Sequence, residues 1–261
     1  MNPIDNFRLS GRVALVSGGG GAIGSALGEA MAAAGAKIVL ADIDRDHVDE
    51  AAVRVRAAGA ECVAIAANVT AEADAEHVVR TALDQYGRLD IIVNAVGGGA
   101  GKALFAAHEY PRDAWDSIME LNLRSTVVAT QAAVRAMIKG GDGGRIINIS
   151  SVRALLGINA GYSAYVAAKG AVTALTRQWA TEWAKYGITV NAIAPTFVDT
   201  PQVAMLLADE KFRTDLVSRV PLGRVGRTDD LVGPVIFFAS PASSFVTGQM
   251  LMVDGGLTAT Q

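Results

Sequence analysis

Residues 13–28 read VALVSGGGGAIGSALG: a short apolar run, four glycines from Gly18 to Gly21, then residues that favour a helix. Aliphatic and β-branched side chains over 13–17 suit extended backbone, the glycines allow a tight turn, and the alanine-rich stretch from Ala22 carries helix formers. Strand, bare turn and helix N-terminus in succession make a phosphate site, because backbone N–H groups and the positive end of the helix dipole face outward unobstructed. No lysine follows the glycines as a triphosphate-binding loop requires, so a dinucleotide pyrophosphate is the better fit.

The same alternation runs through the chain. Short β-branched runs near 13–17, 37–41, 62–67, 89–94, 145–149, 188–193 and 249–253 read as strands, and 22–34, 45–58, 72–86, 112–138, 162–185, 201–218 and 228–239 read as helices. The strands KIVLA, DIIVN and RIINIS are apolar nearly throughout, the mark of a sheet covered on both faces. The expected fold is α/β, a doubly wound parallel sheet of seven strands with helices on both faces, in which ligands bind beyond the carboxyl ends of the strands. The 261 residues are expected to form one domain, 1–261, with a substrate lid over about 197–220.

Composition narrows the function. The net charge is −3 and no Lys/Arg stripe or run is present, which argues against nucleic acid and anionic membrane surfaces as partners. No apolar run is long enough to span a bilayer, and the opening MNPIDNFRLSGRVALVSGG lacks the order of a secretory signal, so a cytoplasmic enzyme is expected. A single cysteine, Cys62, lies in an apolar strand and excludes an intrachain disulfide. The three histidines have no metal-ligand spacing, and no catalytic metal is expected.

Asp42 ends the second strand, where such folds place an acid on the adenosine ribose; its carboxylate can accept both hydroxyls and would repel a 2′-phosphate. NAD is therefore expected over NADP, with Arg45 as the opposing charge and Asp44 or Asp46 better placed to cap the next helix. Asn68 and Val69 close the third strand beside the expected adenine position; Asn94 and Ala95 close the fourth on the adenosine side. Each of these pairs reads equally well as a plain strand-to-loop turn.

Tyr165 and Lys169 stand one helical turn apart, with polar ends that can converge. A phenol that exchanges protons at neutral pH must have its phenolate favoured by about 3 kcal/mol relative to free tyrosine, and an ammonium ~5 Å away supplies roughly that at an effective dielectric near ~20. Desolvation opposes it.

These motifs, in this order, resemble the short-chain dehydrogenase/reductase family over almost the whole chain: SGGGGAIG (17–24), Asp42, NAVG (94–97), Asn122 of MELNL, NISS ending at Ser151, YVAAK (165–169), APTFVDT around Pro195, and VDGG (253–256). The resemblance implies a nicotinamide-dependent oxidoreductase with a tetrad of Asn122, Ser151, Tyr165 and Lys169. Tyr165 would pass the proton, Ser151 would hydrogen-bond the reacting oxygen, and Lys169 would lower the phenol pKa and hold the nicotinamide ribose, which Tyr165 also adjoins. Asn122 would hold a water linking Lys169 to solvent; on its residue type alone it reads as a polar group satisfying a helix kink. Ser17, Gly18, Gly20, Ala22, Ile23 and Gly24 would hold the cofactor's phosphates, and Pro195, Val198 and Thr200 its carboxamide end.

Four positions depart from the family pattern. Ser17 stands where threonine is common. Ala95 replaces a second asparagine, which is expected to weaken cross-strand hydrogen bonding. Ser151 lies one residue further from Tyr165 than usual, with Ser150 as an alternative that should face the other side of the strand. Thr196 replaces the glycine after Pro195 and adds a side chain near the nicotinamide.

The expected substrate is a small secondary alcohol or ketone, a sugar or polyol by class. A 3-oxoacyl thioester reductase is the second reading, disfavoured by Asp42, and a non-catalytic NAD-sensing protein the third, opposed by the complete tetrad. The pocket should be walled by 97–110, by Arg153 to Tyr162, and by a lid face of Val203, Leu206, Leu207 and Leu216. Arg153, His108 and Lys102 are polar candidates for a hydroxylated or acidic substrate, each weighed against an ordinary loop role. Trp179 and Trp183 suit core packing, or the contact between long helices in the homotetramer that the resemblance implies.

Overall fold

The computed structural model describes residues 2–99 and 103–260. Its elements, in chain order, are β1 (Val13–Ser17), α1 (Ala22–Ala33), β2 (Lys37–Asp42), α2 (Arg45–Ala57), β3 (Cys62–Ala66), α3 (Glu72–Tyr86), β4 (Ile91–Asn94), α4 (Arg112–Met119), a π turn (Glu120–Arg124) and α5 (Ser125–Gly140). There follow β5 (Gly144–Ile149), α6 (Ser163–Trp183), β6 (Ile188–Pro195), α7 (Ala204–Ala208), α8 (Glu210–Val217), α9 (Asp229–Ala239) and β7 (Met250–Val253). All seven strands are parallel, in the order β3-β2-β1-β4-β5-β6-β7.

The pleat sorts side chains into two cores. Ala14, Val16, Ile38 and Leu40 meet Leu27 and Met31 of α1, Val48 of α2 and Val235 and Phe238 of α9 on one face. Val13, Leu15, Val39 and Ile92 meet Val78 of α3, Val128 of α5 and Trp179 of α6 on the other. Burial on both faces accounts for strands with no polar alternation. No described helix is long and apolar enough to cross a membrane.

Strand order reverses at β1, which pairs with both β2 and β4 and sets Ser17 opposite Asn94 at the carboxyl ends. Asn94 is fully buried; its Nδ2 donates to Thr130 Oγ1 at 2.7 Å and to Asn148 Oδ1 on β5 at 2.8 Å, and Asn148 Nδ2 donates to Thr176 Oγ1 at 2.9 Å. The weaker cross-strand bonding expected from Ala95 is thus not found, because Asn148 completes the bridge from the neighbouring strand.

Two helices differ from expectation. The helix expected over 112–138 contains the π turn, where Asn122 Nδ2 takes the Ile118 carbonyl at 3.1 Å. The helix expected over 201–218 is a 3-10 turn (Pro201–Val203) followed by α7 and α8, broken at Asp209, whose extended backbone and side chain cap α8 through Phe212 N.

Candidate active site

At the end of β1 the glycine turn is packed too closely for side chains. Gly18 adopts φ +77°, and a Cβ there would lie 2.7 Å from Val96 N; a Cβ on Gly24 would strike the Gly18 carbonyl. The turn is tied down by Gly18 N and Gly19 N donating to Ala41 O and by Gly20 N donating to Asp42 Oδ2 at 3.0 Å. Ala22, Ile23 and Gly24, the first residues of α1, have N–H groups without an acceptor among the described residues. Three free donors at a helix N-terminus, over a glycine cradle, fit a pyrophosphate.

Asp42 is held in place at both carboxylate oxygens, the second accepting from Asp44 N at 3.1 Å. Asp44 itself caps α2 through His47 N, and Ile43 beside it is exposed and uncharged. Asn68 lies at the surface, where its Oδ1 takes Thr70 N and Oγ1, while Val69 is buried. Pro195 ends β6 in the interior, and beyond it Phe197 and Asp199 bond to Gly226, leaving the N–H and carbonyl of Val198 turned away from that pairing. Thr196 Oγ1 is buried without a partner among the described residues. Thr200 is partly exposed, just before the 3-10 turn Pro201–Val203.

The four tetrad residues converge at the carboxyl ends of β4 and β5. Lys169 is buried on α6, its Nζ donating to Ile149 O at 2.9 Å and lying 5.7 Å from the Tyr165 ring centre. Asn122 is wholly buried; its Oδ1 accepts from Gly98 N at 2.8 Å and its Nδ2 donates to Gly98 O at 3.0 Å, so the π turn clasps the loop after β4. A Cβ on Gly97 would lie 2.9 Å from both Asn122 Oδ1 and Lys169 Nζ, which puts that backbone between the two side chains. Ser151 Oγ accepts from Arg153 N at 3.1 Å on the Tyr165 side, whereas Ser150 Oγ meets Thr173 Oγ1 and the Lys169 carbonyl on the other.

Electrostatics correct one expectation. Burial raises the Tyr165 pKa, opposed by the Ser151 hydroxyl and, more weakly, by the Arg153 charge, and the net direction is upward. Lys169 is itself pulled down to about 8 by burial. In the chain alone burial therefore outweighs the groups that favour the phenolate, and desolvation acts on both members of the pair.

Around Tyr165 the wall is apolar and aromatic: Ala103, Ile118 and Ala164 pack with Tyr110 and Trp115, and the Tyr162 ring meets that of Tyr165 edge-on at 6.3 Å. Leu207 on α7 and Leu216 on α8 are buried, Val203 and Leu206 partly so. His108 is exposed, 3.9 Å from Glu109, and Lys102 lies outside the described residues. Trp179 is buried in the core and stacks on Trp183 at 5.2 Å. Among the described residues no three His, Cys, Asp or Glu side chains are grouped to hold a metal. Sequence reading placed Gly97 only in the turn that closes β4 and missed Gln202, which adjoins Gly98, since nothing in local spacing links these positions.

A family model described as Enoyl-(Acyl carrier protein) reductase matches residues 20–258. The gluconate 5-dehydrogenase of Gluconobacter oxydans is 38% identical over 258 residues, spanning 99% of both chains. The chain belongs to the short-chain dehydrogenase/reductase family. Another member, the 3-oxoacyl-[acyl-carrier-protein] reductase of Thermotoga maritima, is 36% identical across 96% of this chain and 99% of its own. A gluconate 5-dehydrogenase from Burkholderia cenocepacia, solved in complex with NADP and tartrate, superposes with a TM-score of 0.89 at 38% identity, covering 98% of each chain. As a member of this family, the protein is an oxidoreductase acting on CH–OH groups, for which a nicotinamide cofactor is expected.

Proposed function

We propose that this dehydrogenase/reductase interconverts a secondary alcohol and its ketone, with a sugar or polyol as substrate, as one catalytic domain working in the cytoplasm. In the oxidative direction the alcohol and oxidised NAD give the ketone, NADH and one proton. The observation that carries this reading is the meeting of Ser151, Tyr165, Lys169 and Asn122 at the sheet's carboxyl end, beside the open N-terminus of α1. A bound nicotinamide dinucleotide supplies the hydride acceptor or donor. Ala22, Ile23 and Gly24 hold its phosphates through their N–H groups, Asp42 the adenosine ribose, and Val198 and Thr200 the carboxamide end. Ser151 fixes the substrate oxygen, and Tyr165 takes or returns the proton on it. Lys169 holds the nicotinamide ribose, and Asn122 positions the route by which the proton reaches solvent.

NAD is the preferred cofactor in this reading, on the strength of the Asp42 carboxylate and the uncharged Ile43 beside it. The Burkholderia relative was solved with NADP, which makes the preference a point for measurement. Assembly as a homotetramer fits the exposed Leu251 on edge strand β7 and the fully exposed Phe245 just before it. The Thermotoga relative favours a second reading, reduction of a 3-oxoacyl thioester.

An assay of NAD and NADP against polyols, sugars, hydroxy acids and 3-oxoacyl thioesters separates the two readings. Tyr165→Phe should lower kcat by at least ~1000-fold, at the lower end of what a proton-transfer group and its hydrogen bond contribute together, and leave dinucleotide affinity within about threefold. Turnover retained in that variant would remove Tyr165 from the proposed role.

A further inference from the structure

Arg153 sits in a single 3-10 turn (Val152–Ala154) directly after Ser151, and only 6% of it is exposed. Among the described residues its guanidinium makes one hydrogen bond, Nη1 donating to Gly157 O at 2.9 Å. No carboxylate of the described residues lies within ion-pair distance, in contrast to Arg12 and Arg88, which both close on Asp90. Nε and Nη2 of Arg153 have no acceptor among the described residues, yet neither is sealed off as the partnerless Arg145 Nε is, so this edge of the guanidinium remains reachable from solvent. The charge acts on the phenols of both Tyr162 and Tyr165, which places it at the reacting end of the candidate site.

A second arginine strengthens the case. Arg219, exposed just after α8, is close enough to oppose the Arg153 charge, and it has no carboxylate partner among the described residues. Guanidinium does not shed its proton in proteins, so two like charges beside a partly buried phenol favour an anion between them. A free Nε/Nη2 edge presents two parallel N–H groups, the match for two carboxylate oxygens.

We propose that Arg153 binds a carboxylate of the substrate side-on through Nε and Nη2, with Arg219 drawing the anion to the mouth, so that the enzyme acts on hydroxy or keto acids. The assignment deepens the proposed alcohol/ketone chemistry and rests on it.

The test compares wild type, Arg153→Gln and Arg153→Lys on three- to six-carbon hydroxy acids, their primary amides and phosphorylated polyols with NAD, after circular dichroism has verified folding. Calorimetry of malonate and malonamide binding to the NADH-loaded protein runs beside it. Wild type should prefer an acid to its amide by at least 100-fold in kcat/KM. Arg153→Gln should abolish that preference through KM more than kcat, leaving NAD affinity unchanged, and Arg153→Lys should restore part of it. Malonate should bind wild type at least tenfold more tightly than Arg153→Gln, with malonamide indifferent to the substitution. Equal use of acid and amide by wild type, an acid preference that survives Arg153→Gln, or a preference for phosphorylated polyols would each overturn the proposal. Arg153-dependent malonate binding with no alcohol oxidised would uphold the carboxylate site and refute the hydride-transfer reading instead.

Discussion

Lys169 shows how one residue can be costly to the fold and, in the proposed mechanism, needed for chemistry. Its pKa falls from 10.5 in the unfolded chain to about 8 in the folded one, because burial disfavours the ammonium and one carbonyl, Ile149 O, only partly offsets this. Between those values the unfolded chain binds more protons, so the penalty is full below about pH 8 and fades as pH rises toward 10.5. Lys169→Met should therefore stabilise the protein at pH 7, on the order of 2 kcal/mol after the lost hydrogen bond, while removing activity. Denaturant melts at pH 7 and pH 10 check this, and a gain that does not shrink at the higher pH would contradict it. The Asp42 carboxylate is held at a fixed place by Gly20 N and Asp44 N, and in the proposed site it acts through its charge. Asp42→Ala should shift the NAD/NADP ratio of kcat/KM toward NADP by at least tenfold, or about 1.4 kcal/mol. An unmoved ratio would refute its role in cofactor choice.

At the scale of elements, the site depends on a π turn in the middle of a long helix. A regular helix over 112–138 would satisfy its own carbonyls; the π turn instead lets Asn122 take Ile118 O and close on both backbone groups of Gly98. Residue type hinted at a kink, but its clasp on Gly98 depends on a loop 24 residues away in sequence. Gly97 passes between Asn122 and Lys169 with no room for a methyl group. Gly97→Ala should cost about 1–3 kcal/mol of stability by overpacking and lower kcat more than it raises KM, since the displaced groups adjoin the reacting centre. Steady-state kinetics on a variant with normal circular dichroism would show it, and unchanged kcat would mean that Asn122 and Lys169 can shift harmlessly. The segment 201–218 was legible as helical from its apolar spacing, but not its break, since Asp209 can stand within a helix or cap one.

Across the whole molecule, the candidate site and the main buried ion-pair anchor occupy opposite ends of the sheet. At the amino end Asp90 is buried; burial alone would raise its pKa, but hydrogen bonds from Arg88, Val13 N and Arg12 outweigh it and hold the carboxyl below its ordinary value. A depressed folded pKa gives stability that is present above the unfolded value and lost as pH falls through the folded one. Asp90→Asn should therefore cost about 2 kcal/mol at pH 7, moderated because both arginines are partly exposed, and the difference from wild type should vanish in acid. Thermal melts across pH 2–7 test this, and a cost that persists in acid would assign it to packing. An open polar hollow of about 390 Å3 lies at this same end, lined by Ser10, Gly11, Arg12, Arg88 and Asp142, remote from the tetrad.

The linear chain determined the parallel sheet, the glycine cradle and the candidate tetrad, because periodicity and close-spaced motifs such as YVAAK act over one or two turns of backbone. Tertiary structure decided what depends on distance through space: the Asn94–Asn148 bridge, the passage of Gly97 between Asn122 and Lys169, and the direction in which the Tyr165 and Lys169 pKa values move. It also separated Arg153 from His108, two polar loop candidates that look alike in sequence. One is buried beside Tyr165 with an open guanidinium edge and the other lies at the surface, because burial and partners arise only when segments distant in sequence pack together.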